Sequence, residues 1–177
     1  GTRDAVDQVL SRLVKQDKIR RLGRGVYDFP KSDDLIGVLS PASADVAKVI
    51  VKDDVIFHSG ATAANLLGFS TQVPMKTVFY SNKTSKIFAV GKYDIKIKRA
   101  RIHFIRNASD TVNLFVQALS YLGKNSVGDD VIKRSVKVLS DSDIKALKRN
   151  MSALPSWLCD IIHKIDDVKY GKISATA

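Results

Sequence analysis

Glutamate is missing altogether: every acidic residue in this 177-residue chain is an aspartate. Enzyme mechanisms that place a Glu as general base or metal ligand therefore have no candidate. A lone cysteine, Cys159, cannot form an internal disulfide. No stretch approaches the roughly 20 apolar residues of a membrane span, and the opening Gly1-Thr2-Arg3 has neither a Met nor an apolar signal core. A soluble, cytoplasmic protein with no membrane partner is expected. Internal repeats, low-complexity tracts and a heptad seam that would support a stable dimer are also missing.

What the chain does have is apolar material and positive charge. At 45% hydrophobic residues it is globular rather than disordered, and a formal net charge of +11 points to an anionic partner, with nucleic acid ahead of a membrane surface. The length allows one medium domain or a small domain joined to a larger one.

From Thr2 to Gln16, Val6, Val9, Leu10, Leu13 and Val14 recur at helical spacing, with Asp4, Gln8, Ser11, Arg12 and Lys15 on the opposite side and Thr2 as N-cap. Two strand-like pieces follow, Ile19 to Leu22 and Val26 to Phe29, around Gly23-Arg24-Gly25, whose glycines tolerate the positive φ of a tight hairpin. Residues 30–34 read as a linker. A helix after Ser43, a short strand "VIFHS" and a small-residue helix "GATAANLLG" closed by Gly68 come next. Lys76 to Ser81, Lys86 to Val90, Tyr93 to Lys98 and Arg101 to Ile105 alternate with period two, which predicts an antiparallel meander. The tail reads as helices from Ser109 to Gly123, Asp129 to Leu139, Asp143 to Met151 and Pro155 to Ile165.

An amphipathic helix with a polar outer face, followed at once by a basic hairpin, is the order of recognition helix and wing in a winged helix-turn-helix. Gln8 and Arg12 are then placed to read base edges in the major groove, and Arg20, Arg21 and Arg24 to reach phosphates or the adjacent minor groove. The competing reading is a surface hairpin with solvated arginines. A Rossmann loop fails, because Asp28 stands where G-x-G-x-x-G needs its third glycine. The further helices that a complete winged domain has before its recognition helix are not seen, so either the chain begins inside that domain or the winged-helix reading is wrong.

A second concentration of charge lies between Lys76 and Arg106, where nine Lys or Arg accompany a single acid, Asp94. Lys76, Lys96, Lys98, Arg99 and Arg101 are candidates for a basic sheet face. An anion-binding surface and a solvated, solubilising face both remain open. No aromatic ladder interleaves the lysines, which disfavours single-stranded nucleic acid.

Enzyme constellations are thin. Asp141-Ser142-Asp143 matches a metal-binding D-x-D, which keeps a nucleotide-processing enzyme as an alternative, but Ser140 with Asp143 reads better as a helix N-terminus. Cys159 and His163 lack further ligands, and His58-Ser59 lacks a G-x-S-x-G. No catalytic residue, metal site or cofactor is expected.

Three stretches taken together, "RDAVDQVLSRLVKQDKIRRLGRGVYDFP", "GATAANLLGFSTQVP" and "VFYSNKTSKIFAVGKYDIKIKRA", resemble the AbiEi-type antitoxins of bacterial type IV toxin-antitoxin systems, which act in abortive infection against phage. The similarity covers roughly residues 1 to 106. It implies a protein that is not an enzyme: a winged helix that binds inverted repeats in the double-stranded promoter DNA of its own operon, and a second domain that counters a nucleotidyltransferase toxin without necessarily contacting it. Binding to inverted repeats implies two protomers per operator. The matching DNA-contact positions are Arg3, Asp4, Gln8, Ser11, Arg12 and Lys15 on the helix, with Lys18, Arg20, Arg21 and Arg24 on the wing. The expected fold is α+β, with recognition helix and wing in residues 1–32 and, in residues 36–177, an antitoxin domain combining a mostly antiparallel sheet with a helical C-terminal part. A DNA-binding regulator without a toxin partner is the remaining alternative.

Overall fold

The computed structural model describes residues 1–52, 55–90, 93–100 and 103–171 and is α+β. Helix α1 (Arg3–Lys15) is capped by Thr2, whose Oγ1 accepts from the Ala5 N–H, and Asp17 turns the chain out of it in the left-handed region at φ 54°. Strands β1 (Arg20–Gly23) and β2 (Val26–Asp28) then form an antiparallel hairpin with Arg20 opposite Asp28. Its two glycines serve different ends. Gly25 sits at φ +71° with open space around it, which is a turn requirement. Gly23 is a packing requirement: a Cβ there would stand 2.4 Å from Cζ of Phe88.

Residues 30–34 do more than link. Ser32–Asp33 (β3) pairs with Gly37–Val38 (β4), and Asp33 Oδ1 closes the tip by accepting from the N–H groups of Leu35 and Ile36.

Helix α2 (Ser43–Val51) covers one face of a four-stranded sheet made of β5 (Ile56–His58), β6 (Thr77–Ser81), β7 (Lys86–Val90) and β8 (Tyr93–Arg99). The strand order is β5-β6-β8-β7, with β6 and β8 parallel and the other two pairings antiparallel. The expected meander order is therefore corrected: β7 does not lie between β6 and β8. The reason is burial. Ile95 and Ile97 of β8 are 0% and 2% exposed and take the interior of the sheet, whereas Ile87 of β7 is 66% exposed, as suits an edge. The fourth expected strand is not found at 103–105, and Arg101 and Ile102 lie outside the described residues.

Two hydrophobic cores result. Under the sheet, Phe79, Val90, Ile95 and Ile97 meet Val46, Ala47, Ile50 and Val51 of α2, and Val26 of the hairpin is buried among them. Hairpin and sheet therefore share one core. The second core is helical and joins α3 (Gly60–Leu66), α4 (Asp110–Leu122), α5 (Asp129–Val138), α6 (Asp141–Arg149) and α7 (Ser156–Lys169). The small residues expected to press α3 against a sheet instead press it against α4, where Ala63 and Ala64 are fully buried. Ser109 and Ser140 cap α4 and α6, the latter through a capping box with Asp143.

Candidate nucleic-acid interface

On α1, Asp4, Gln8, Ser11 and Lys15 follow one another along a single side at helical spacing, flanked by Arg3 and Arg12, and all six are exposed. The apolar stripe opposite is covered unevenly: Leu10, Leu13 and Val14 are half-buried, while Val6 and Val9 are each 52% exposed. The tight turn at Asp17 sets the helix directly before the hairpin, so the polar face and the wing follow each other without slack.

The wing cations divide. Lys18, Arg21 and Arg24 are exposed. Arg20 is not idle: its Nε donates to Asp28 Oδ2 at 3.0 Å, and its Nη2 donates to the same oxygen and to the carbonyl of Leu39 at 2.6 Å. That guanidinium ties β1 to β2 and both to the end of the second hairpin.

The basic sheet face is smaller than expected. Lys96 and Lys98 point away from the core shared by Ile95 and Ile97, beside Val78 and Tyr80 in the ladder. Lys76 precedes β6 and lines, with Lys96 and Asp94, a cavity of about 700 Å³ in front of α2. Arg99 falls on the other parity, opposite Ser81, so it leaves this face; its N–H donates to Ser85 Oγ at 2.8 Å. Arg101 lies outside the described residues.

The paired aspartates are occupied structurally. Burial raises the Asp143 carboxyl, but hydrogen bonds from Ser109 and Ser140 outweigh it and hold the group below the ordinary carboxylate value. Asp141 is lowered by hydrogen bonds from Lys169 and Tyr170, with Lys169 Nζ 3.2 Å away. Among the described residues, no group of three or more His, Cys or Asp could hold a metal ion.

The family model of DUF6088, a family of unknown function, matches residues 1–147. The chain belongs to this family. No curated protein and no solved structure matches it. The DUF6088 match runs from the helix and hairpin through the sheet and on into α6, so it covers both the cationic surfaces and the Asp141–Asp143 pair. No helix among the described residues of this DUF6088 chain is long and apolar enough to cross a membrane.

One feature of the DUF6088 chain was not legible in the sequence. A cleft of about 500 Å³ lies between α2, β5, the segment 104–108 and α4, and His58 lines it with Lys48, Arg106 and Asp110. Burial pushes the His58 imidazole below its ordinary value; Asp110 pulls it back up and Lys48 adds to the depression. These residues come from four separate segments, and no local spacing connects them.

Proposed function

We propose that this chain binds double-stranded promoter DNA through α1 and the β1–β2 hairpin, represses its own operon, and serves as the antitoxin to a nucleotidyltransferase toxin. The DNA-binding part is supported by one observation above the rest: an exposed polar helix face carrying Gln8, Arg12 and Lys15 runs straight into a hairpin whose Arg21 and Arg24 are exposed. In this reading α1 enters the major groove, where Gln8 and Arg12 meet base edges, and Arg21 and Arg24 grip phosphates. Arg20 positions the wing by bracing it against Asp28. Twofold-related half-sites would each take one protomer.

The antitoxin part rests on the sequence resemblance, and the occupied carboxylates of Asp141 and Asp143 favour it over a nucleotide-processing enzyme. Fluorescence anisotropy on the operon's upstream DNA across a salt series tests the first part. Each phosphate neutralised contributes about 0.9 to the slope of log affinity against log salt. Binding that is weak, insensitive to salt and unchanged in Arg21→Ala/Arg24→Ala would sink the claim. The second part is tested by growth rescue during expression of the neighbouring nucleotidyltransferase. Truncation at residue 36 would strip Val26 from the core, so the informative variant is Gln8→Ala/Arg21→Ala/Arg24→Ala in the full chain. It is expected to lose repression and keep rescue.

A further inference from the structure

The cleft beside β5 has a construction that neither DNA binding nor the two cores require. Among the described residues β5 is an edge strand, paired with β6 alone. Ser59 N–H donates to the Val78 carbonyl at 3.0 Å, and Phe57 lies opposite Tyr80. Antiparallel ladders alternate, so the N–H and C=O of Phe57 face β6, whereas those of Ile56 and His58 face outward. Among the described residues these outward groups have no partner, and Ile56, Phe57 and His58 all line the cleft. Edge backbone of this kind usually meets water or another strand. Here it meets a walled space.

The walls are aromatic and cationic. Phe57 lies against the tilted ring of Phe104 at 5.3 Å on one side of the strand, and His58 contacts Phe79 at 5.0 Å on the other. Lys48 from α2 and Arg106 from the following segment outnumber Asp110. The floor is fixed rather than loose: Gln117 Nε2 donates to the His103 carbonyl, and Asn113 both accepts from the Ile105 N–H at 2.9 Å and donates to its carbonyl at 3.2 Å. The volume of about 500 Å³ lies in the range of small-molecule sites.

We infer that this cleft binds a small, flat heteroaromatic anion, with a ring edge that pairs with the outward backbone of Ile56 and His58 and one anionic group held by Lys48 and Arg106. Alternating N–H and C=O groups recognise a ring that offers both an acceptor and a donor, aromatic side chains flank its faces, and the two cations take a phosphate or carboxylate. A nucleoside monophosphate and a free pyrimidine carboxylate such as orotate share this chemistry. The inference does not depend on DNA binding, because the cleft shares no residue with α1 or the hairpin.

The test is a titration of the ¹⁵N-labelled full chain with each of the four ribonucleoside 5′-monophosphates and, separately, with orotate, followed by amide chemical shifts. Saturable shifts at Ile56 and His58 at millimolar probe are expected, and which probe produces them identifies the anion class. Lys48→Ala/Arg106→Ala, two exposed positions, is expected to weaken binding on the order of tenfold. Leu114→Trp, which fills the cleft, is expected to abolish it in a protein whose spectrum stays dispersed. Shifts confined to α1 and the hairpin, no shift with any probe, or equal affinity in the double variant would each overturn the inference.

Discussion

Three cationic side chains stand within five residues on the wing, yet they are physically unlike. Arg20 is a strut and Arg21 and Arg24 are exposed, and that difference separates stability from affinity. Arg20→Ala removes three hydrogen bonds, two of them within a partly exposed ion pair, leaving Asp28 and the Leu39 carbonyl without this partner. Discounted for solvent, the expected loss is about 1–2 kcal/mol in urea unfolding. The salt slope for DNA should change little. Arg21→Ala/Arg24→Ala is expected to do the reverse, lowering that slope by up to roughly 1.8 at unchanged stability. The Arg20 partner was not fixed by the sequence, since a two-residue turn at Arg24-Gly25 alone puts residue 20 opposite residue 29, and it is the irregularity between Arg21 and Gly23 that brings it opposite Asp28. His58 was out of reach, because its depression comes from burial and from Lys48 of α2, against the opposing pull of Asp110 of α4. Its sign is definite. The unfolded chain takes up a proton at the ordinary imidazole value that the half-buried ring resists, so stability is complete above that value and falls as pH drops below it. Denaturation at about pH 7.5 and about pH 5.5 should show this loss, and His58→Gln should show less of it.

At the level of elements, helices and caps were readable from the sequence and strand order was not. Thr2, Ser109 and Ser140 lie one residue before α1, α4 and α6, because a side-chain oxygen at that position satisfies a backbone donor and the requirement is local. The placement of β8 between β6 and β7 is set by which strand has the most apolar surface to bury, a comparison among segments that period-two alternation does not rank. The same holds for α3, whose small residues announce a close approach without naming α4 as the partner. Asp143 shows how far a local signal can extend: it closes the capping box of α6 and also accepts from Ser109 Oγ at 2.6 Å, joining the starts of two helices. Asp143→Asn is therefore expected to cost about 1–2 kcal/mol in thermal or urea melts. Its carboxylate contribution is present above the ordinary Asp value and is lost as pH falls through the depressed one.

Across the whole molecule, Ser59 is one of the residues at which the two cores meet. Ser59 completes the β5–β6 ladder with its N–H and caps α3 with its Oγ, which accepts from the Thr62 N–H at 3.3 Å. Sheet core and helical core are therefore expected to unfold together. Trp157 packs against the helical core only, and β8 amide exchange reports the sheet. Coincident denaturant midpoints from these two probes are the expected result, and separated midpoints would mean two independent units. The wing belongs to this joined body through Gly23, seated under the ring of Phe88. That contact leaves a trace beyond this one chain. In an alignment of the family, positions 23 and 88 should covary, with a large aromatic at 88 only where 23 is glycine and a smaller residue at 88 wherever 23 carries a side chain.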